Sequence, residues 1–122
     1  MDKNAPQQEE ELVVEKAKKL EILPGADESV VTCVVAEEDH TLGNALRYIL
    51  MRNPDVEFCG YSVPHPSEDK MNVRIQARKG KNATEQFRKG LTDLISICEH
   101  TLLTFESEMS FVEEASESEM DT

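Results

Sequence analysis

Hydrophobic positions along this chain follow two periods, and each period predicts a kind of secondary structure. A helical period runs through 41–50, where one face collects Leu42, Ala45, Leu46, Ile49 and Leu50. Gly43 lies in this helix although glycine costs about 1 kcal/mol against alanine there, so we expect it to admit another backbone at close range. Arg47 lies off the apolar face, as an interface anchor commonly does. The pattern predicts an assembly surface; the alternative is an ordinary first helical turn with a solvated arginine.

Four segments have the two-residue period of β-strands and are separated by turn residues. They cover 16–23, 29–36, 56–63 and 71–77. The fourth is the clearest, because apolar residues at every second position from Met71 alternate with polar ones. The second is apolar on both faces, which is typical of a strand covered on both sides or shielded by a partner.

A second helix is predicted from 83 to about 106, opened by Asn82 and Glu85 at the spacing of a capping box. Its apolar stripe comprises Phe87, Leu91, Leu94, Ile95, Cys98, Leu102 and Phe105. Such a helix spans about 36 Å, whereas a compact domain of this size has a radius of gyration of about 12–13 Å. Part of the stripe then lacks cover within the chain, and we expect a partner helix to supply it. The alternative is a helix that ends near His100 and covers only its own sheet.

The predicted order is β-β-α-β-β-α, an α+β fold in which two helices share one face of a four-stranded antiparallel sheet. The length of 122 residues suits one domain. We expect a disordered acidic arm at 1–15, the folded domain at 16–106 and a disordered acidic tail at 107–122.

Charge is distributed unevenly along the chain, whose formal net charge is −12. Residues 1–15 carry five acids and one lysine, and residues 106–122 carry seven acids and no base, which leaves the body at −1. A near-neutral body with acidic ends lacks the positive face that phosphate binding requires. Direct nucleic-acid binding is therefore not expected, and the short basic run at 78–81 is interpreted as a solvated turn.

The three cysteines, Cys33, Cys59 and Cys98, are far apart in apolar segments, which indicates free buried thiols in a reducing compartment. The sequence contains no apolar run of the roughly 18 residues that a membrane span needs, and its first residues are acidic and polar, unlike a secretory signal. We expect a soluble intracellular protein without a membrane segment.

Candidate catalytic and metal-binding residues are few. Asp39, His40 and Thr41 supply an acid, a base and a hydroxyl, but adjacent residues at a strand-to-helix turn point in different directions. His65 and His100 lack other ligands at short spacing. We expect no enzyme activity, no metal site and no cofactor. A separate pattern, an acid three residues after each of Ser110, Ser116 and Ser118, predicts sites for an acid-directed kinase.

Two motifs resemble a known family. The segment 39–50, DHTLGNALRYIL, resembles the first helix of the alpha-type subunits of DNA-dependent RNA polymerases. The segments YSVPHP at 61–66 and RIQ at 74–76 narrow the likeness to the small alpha-like subunits of the nuclear enzymes. The chain is most similar to the smaller alpha-like subunit family shared by RNA polymerases I and III, of the alpha/Rpb11-like type, and the likeness covers roughly 17–106.

The resemblance implies a non-catalytic assembly subunit for the synthesis of ribosomal RNA precursor, 5S rRNA and tRNA. Members of the family form a heterodimer with a larger alpha-like subunit, and the pair is the platform for the second-largest polymerase subunit. The chain lacks the inserted domain of the larger alpha-like partner, which places it on the small side of the pair. The nucleus, including nucleolus and nucleoplasm, is the implied location.

Carried over residue by residue, the resemblance implies a helical contact with the partner. Its residues are Thr41, Leu42, Gly43, Asn44, Ala45, Leu46, Ile49, Phe87, Leu91, Leu94, Cys98 and Leu102. Arg47 matches the first of two arginines in bacterial alpha subunits and is a candidate contact for the large subunit. Tyr48 replaces the second arginine, so the resemblance supports only one half of any contact that the family assigns to the arginine pair. The alternatives are the corresponding subunit of RNA polymerase II and a small homodimeric αβ module unrelated to transcription.

Overall fold

The computed structural model describes residues 19–120, and the arm at 1–15 lies outside them. Six elements follow one another as β1 (Leu20–Pro24), β2 (Val30–Ala36), α1 (His40–Met51), β3 (Val56–Ser62), β4 (Lys70–Ala77) and α2 (Ala83–Met120). The strands form one antiparallel sheet in the order β1-β2-β4-β3. This confirms the predicted β-β-α-β-β-α order and the α+β class.

Alternating side chains divide the sheet into an inner and an outer face. β2 and β4 pair so that Val31 lies opposite Ile75, and Cys33 lies opposite Val73. These inner-face residues are almost fully buried beneath the helices, whereas Thr32 and Arg74 of the outer face are not. Within the described residues only the inner face of β2 is fully buried, so the chain itself does not cover both faces. The alternative, that a partner shields the outer face, stays a prediction.

The edge strand β1 begins later than the predicted 16–23 segment, although 16–18 lie outside the described residues. All five of its residues are exposed. Leu20 and Ile22 pair with Val35 and Cys33 and so share the inner face, yet each remains about two-fifths exposed, at 39% and 43%. The helices therefore leave one edge of the inner face uncovered.

Helix α1 is delimited by local chemistry. Asp39 is its N-cap, and one carboxylate oxygen accepts a 3.0 Å hydrogen bond from the backbone N–H of Thr41, which satisfies a donor that the helix leaves free. Arg52 is the C-cap, two residues before Pro54, and the residue preceding a proline is disfavoured in a helix.

Helix α2 starts as predicted but ends later. The Asn82 side-chain oxygen accepts a 3.1 Å hydrogen bond from the backbone N–H of Glu85. The helix then continues for 38 residues to Met120, about 57 Å at 1.5 Å per residue. The helix therefore passes both of the predicted ends, about 106 and near His100. It also extends through the region predicted to be a disordered tail, from 107 as far as Met120. No glycine or proline follows Gly90, and residues 107–120 include five glutamates, two methionines and an alanine, which are strong helix formers.

The helices cross at a glycine. A Cβ on Gly90 of α2 would lie 2.7 Å from Leu50 Cδ2 and 3.3 Å from Leu46 Cδ1 of α1, so the missing side chain lets the helices approach closely. Beside this crossing, the Asn53 side-chain amide donates a 2.7 Å hydrogen bond to Gln86 Oε1. Both side chains are buried and satisfied, so the end of α1 is fixed against the start of α2.

Candidate functional site

The two helices form an open groove on the side of α1 opposite its core-facing residues. The groove has two adjoining parts, of about 650 and 520 Å³, which share Tyr48, Ile49 and Ile97. The larger part is also lined by Arg52, Asn53, Pro54, Lys89, Asp93 and Ser96. The smaller part is also lined by His40, Thr41, Asn44, Ala45 and Leu94. We call this set the α1–α2 groove.

The periodicity of α1 explains why one helix serves both the core and the groove. Gly43, Leu46 and Leu50 follow each other at three and four residues and face the sheet. Ala45 directly precedes Leu46, and Ile49 directly precedes Leu50. Each side chain is therefore turned by about 100° around the helix axis from a core-facing one. The apolar stripe read from the sequence is therefore divided between two surfaces.

Polar groups surround the apolar lining of the α1–α2 groove. The Arg52 guanidinium lies 5.3 Å from the centre of the Tyr48 ring, and Arg52 Nη1 donates a 2.6 Å hydrogen bond to the Tyr48 hydroxyl. Lys89 Nζ pairs with Asp93 Oδ2 at 2.8 Å. An apolar centre with a polar rim is the usual composition of a protein–protein interface.

Beyond the groove, the apolar surface continues along α2. Leu102, Phe105, Met109 and Val112 are 57%, 62%, 42% and 56% exposed. Every residue from Ile95 to Met120 is exposed in the described chain. An exposed apolar surface of this extent marks an interaction site in a soluble protein.

The predicted contact residues fall into four groups in the structure, of which the last, the core residues, follows below. Those that line the α1–α2 groove are Thr41, Asn44, Ala45, Ile49 and Leu94. Cys98 and Leu102 are exposed further along α2. Leu42 and Leu91 are half-buried and pack against the core of their own chain.

Gly43, Leu46 and Phe87 are corrected from contact residues to core residues. Leu46 is fully buried and Phe87 is 4% exposed. A Cβ on Gly43 would lie 2.5 Å from Cδ2 of Tyr61 and 2.7 Å from Sδ of Met71. The close approach predicted at Gly43 exists, but it is made by side chains of the chain's own sheet because α1 lies directly on that sheet.

Arg47 lies on a different side of α1 from the groove. Burial raises the pKa of the Cys59 thiol in β3 to about 11, and the nearby Arg47 charge opposes that rise. Arg47 is exposed and does not line either part of the groove. Arg47 is therefore exposed on a surface of α1 separate from the groove.

Two of the three cysteines match the expectation of buried thiols. Cys33 and Cys59 are free and buried, and burial alone raises the pKa of Cys33 to about 11. Cys98 is free but exposed, which corrects the prediction for that residue. Cys98 is exposed because α2 extends beyond the sheet that would have covered it.

The predicted contact set omits nine of the fourteen groove residues, among them Tyr48, Arg52 and Ile97. The resemblance marks Tyr48 only as the replacement of an arginine, and Ile97 lies outside the stripe that starts at Phe87. The available signal was the spacing of Leu94 and Ile97, three residues apart on one helix face. Only the position of α1 beside α2 shows that this second pair faces a groove.

The adjacent polar residues at the start of α1 have separate partners. Asp39 caps the helix through the backbone of Thr41, and His40 Nδ1 lies 3.0 Å from the Tyr61 hydroxyl. Within 19–120, no group of three or more His, Cys, Asp and Glu residues is placed to hold a metal ion. Neither helix of the described part combines the length and apolarity required to cross a membrane.

A small α+β domain whose helices present an uncovered apolar groove with a polar rim has the features of a protein-interaction module. Residues 30–103 match the RNA polymerase Rpb3/Rpb11 dimerisation domain. The chain belongs to this family.

Relatives support the assignment. The chain is 57% identical over 94 residues to the DNA-directed RNA polymerases I and III subunit RPAC2 of Danio rerio, covering 77% of this chain and 84% of that protein. It is 59% identical to the subunit of the same name from Schizosaccharomyces pombe and 52% identical to that from Saccharomyces cerevisiae. These matches cover 66% and 70% of this chain, and 66% and 60% of the two yeast proteins.

A solved structure shares the fold. The DNA-directed RNA polymerase subunit L from Thermoplasma acidophilum superposes with a TM-score of 0.66 at 19% sequence identity. The superposition covers 78% of this chain and 92% of the archaeal subunit.

Proposed function

We propose that this chain is a non-catalytic assembly subunit of DNA-directed RNA polymerases I and III. The observation that carries the proposal is the exposed α1–α2 groove, together with the uncovered α2 beyond it, in a member of a dimerisation-domain family. Relatives that are 52–59% identical bear the name of a subunit of both polymerases. In this role the chain contributes to the synthesis of ribosomal RNA precursor, 5S rRNA and tRNA, in nucleolus and nucleoplasm.

The partner that fills the groove is the larger alpha-like subunit of the two polymerases, in a heterodimer. Ala45, Ile49, Leu94 and Ile97 provide the apolar centre of the contact, and Arg52, Lys89 and Asp93 provide charged groups at its rim. Burying such a centre contributes about 25 cal/mol per Å² of apolar surface removed from water. An aspartate introduced there removes this gain and leaves a charge without a partner.

Substitutions in the groove test the proposal. We expect Ile97→Asp to abolish co-purification with the larger alpha-like subunit, because Ile97 is 52% exposed and does not belong to the core cluster. Leu94→Asp is expected to have the same effect. Leu103→Asp is the matched control, since Leu103 is 64% exposed on α2 but does not line the groove. Equal recovery of the partner by all three variants would contradict the proposed contact.

Arg47 is the candidate contact with the second-largest polymerase subunit, which docks on the heterodimer. Its exposure on a side of α1 away from the groove supports a separate partner. We expect Arg47→Ala to leave the heterodimer intact and to reduce recovery of the second-largest subunit in a pull-down. Undiminished recovery would remove Arg47 from this role.

A further inference from the structure

The apolar residues of α2 beyond the sheet have a strict seven-residue repeat. Steps of four and three residues alternate through Leu91, Ile95, Cys98, Leu102, Phe105, Met109 and Val112. A 3.5-residue average period is the pattern by which one helix packs along another in a left-handed coiled coil. We call these seven residues the α2 seam.

Among residues 19–120, only the first part of the α2 seam has cover. Leu91 packs against the core, whereas Ile95 is 58% exposed and the rest of the helix to Met120 is exposed as well. None of the seven seam residues lines the α1–α2 groove. Ile97 of the groove is two residues from Ile95 and one from Cys98, which turns its side chain by 100–200° around the helix axis from theirs. The seam is therefore a second surface of α2, and its exposed part is the uncovered helix that the proposed function already assigns to the contact.

One flank of the α2 seam carries a row of acids. Glu99, Glu106 and Glu113 each follow a seam residue directly and recur at intervals of seven. On a coiled coil these are flanking positions that face the partner helix and determine partner choice. The other flank contains Thr101, Glu108 and Ala115, and no lysine or arginine occurs after Lys89.

This charge pattern disfavours a second copy of the chain. In an antiparallel pair the acidic row would face the same row of the other copy. In a parallel pair it would face the second flank, which is acidic or neutral. Like charges placed opposite each other disfavour a pairing, whereas opposite charges favour it.

We infer that the α2 seam takes a partner helix whose own apolar seam is flanked by lysine or arginine, and that Glu99, Glu106 and Glu113 select this partner over self-association. The inference deepens the proposed function and rests on it. The apolar residues supply the buried surface, and the acidic row decides which helix can use it.

A charge reversal tests the role of the acidic row in the full-length chain. We expect Glu106→Lys with Glu113→Lys to weaken binding to the larger alpha-like subunit at low salt by about fivefold or more, judged from the usual strength of exposed ion pairs. The loss should shrink in high salt, because exposed charges are screened. Both residue types are good helix formers, and circular dichroism checks that helicity is unchanged.

The matched control is Glu114→Lys with Glu117→Lys. It makes the same change in net charge on the same helix, at positions that do not flank the seam between Leu91 and Val112, and we expect it to bind normally. Equal affinities of the two double variants at low salt would overturn the inference. Stable self-association of the unaltered chain through α2 would overturn it too.

The groove variants separate this inference from the proposed function. If Ile97→Asp abolishes pairing while the charge reversal has no effect beyond its control, the assembly role stands and the selective role of the acids is wrong. If the unaltered chain does not bind the larger alpha-like subunit, the proposed function itself fails.

Discussion

Gly43 is the residue at which sequence and structure are most instructively compared. Its place in an amphipathic helix indicated that something must come close, because glycine is otherwise unfavourable there. The structure shows that Tyr61 and Met71 occupy the space of the absent side chain. A single sequence reveals the need for space but not which part of the molecule uses it, since this depends on how the helix lies on the sheet.

Gly43→Ala is expected to destabilise the folded chain by about 1–3 kcal/mol, as overpacking of a core usually does. The new methyl would lie 2.5 Å from the Tyr61 ring, which has little room to move in contact with the core cluster. This steric cost exceeds the gain of about 1 kcal/mol in helix propensity. Urea unfolding at fixed protein concentration measures the difference.

Asn44→Ala is the control for this substitution, because Asn44 is exposed in the adjacent position of α1. Its free energy of unfolding should change by no more than about 0.5 kcal/mol. An equal or greater stability of Gly43→Ala would show that α1 does not need the close approach.

The elements were predictable wherever local chemistry determines them. The alternation of β4 and the Asn82 cap are both present in the structure. The sequence does not predict which residues of the α1 apolar stripe face the core and which face the groove. Leu46 and Ile49 are both apolar residues of that stripe, and only the positions of the neighbouring elements distinguish them. The end of α2 was not predictable either, since an acidic, serine-rich segment has the composition of a disordered tail as well as of an exposed helix.

Removal of 107–122 tests what the distal part of α2 contributes. All described residues of this segment are exposed, so the free energy of unfolding of the shortened chain should change by less than about 0.5 kcal/mol. Binding to the larger alpha-like subunit should weaken, because Met109 and Val112 of the α2 seam are lost. Urea unfolding and a binding titration on the same protein separate the two effects.

A shortened chain that binds the partner with full affinity would show that the contact ends before 107. A large loss of stability without the partner would show instead that the distal helix supports its own domain.

At the scale of the whole molecule, α2 extends well beyond the sheet on which its first turns pack. Its first turns cover the sheet through Ala83 and Phe87, and its later turns cover nothing within the described chain. The groove between α1 and α2 adds a second uncovered apolar surface beside it. The chain therefore folds around a small core of its own and leaves a separate apolar surface exposed, and it belongs to a family of dimerisation domains.

Cys98 provides the most direct test, because it lies in the α2 seam next to the groove and is exposed in the chain alone. Cys33 and Cys59 are internal controls, since both are buried and burial raises the pKa of each thiol to about 11. The measurement is the rate of alkylation of each cysteine at pH 8, by mass spectrometry, in the free chain and in the complex with the larger alpha-like subunit. We predict that Cys98 reacts rapidly in the free chain and roughly tenfold or more slowly in the complex, because a covered thiol is inaccessible to the reagent, while Cys33 and Cys59 react slowly in both. An unchanged rate at Cys98 in the assembled complex would contradict the claim that a partner covers this surface.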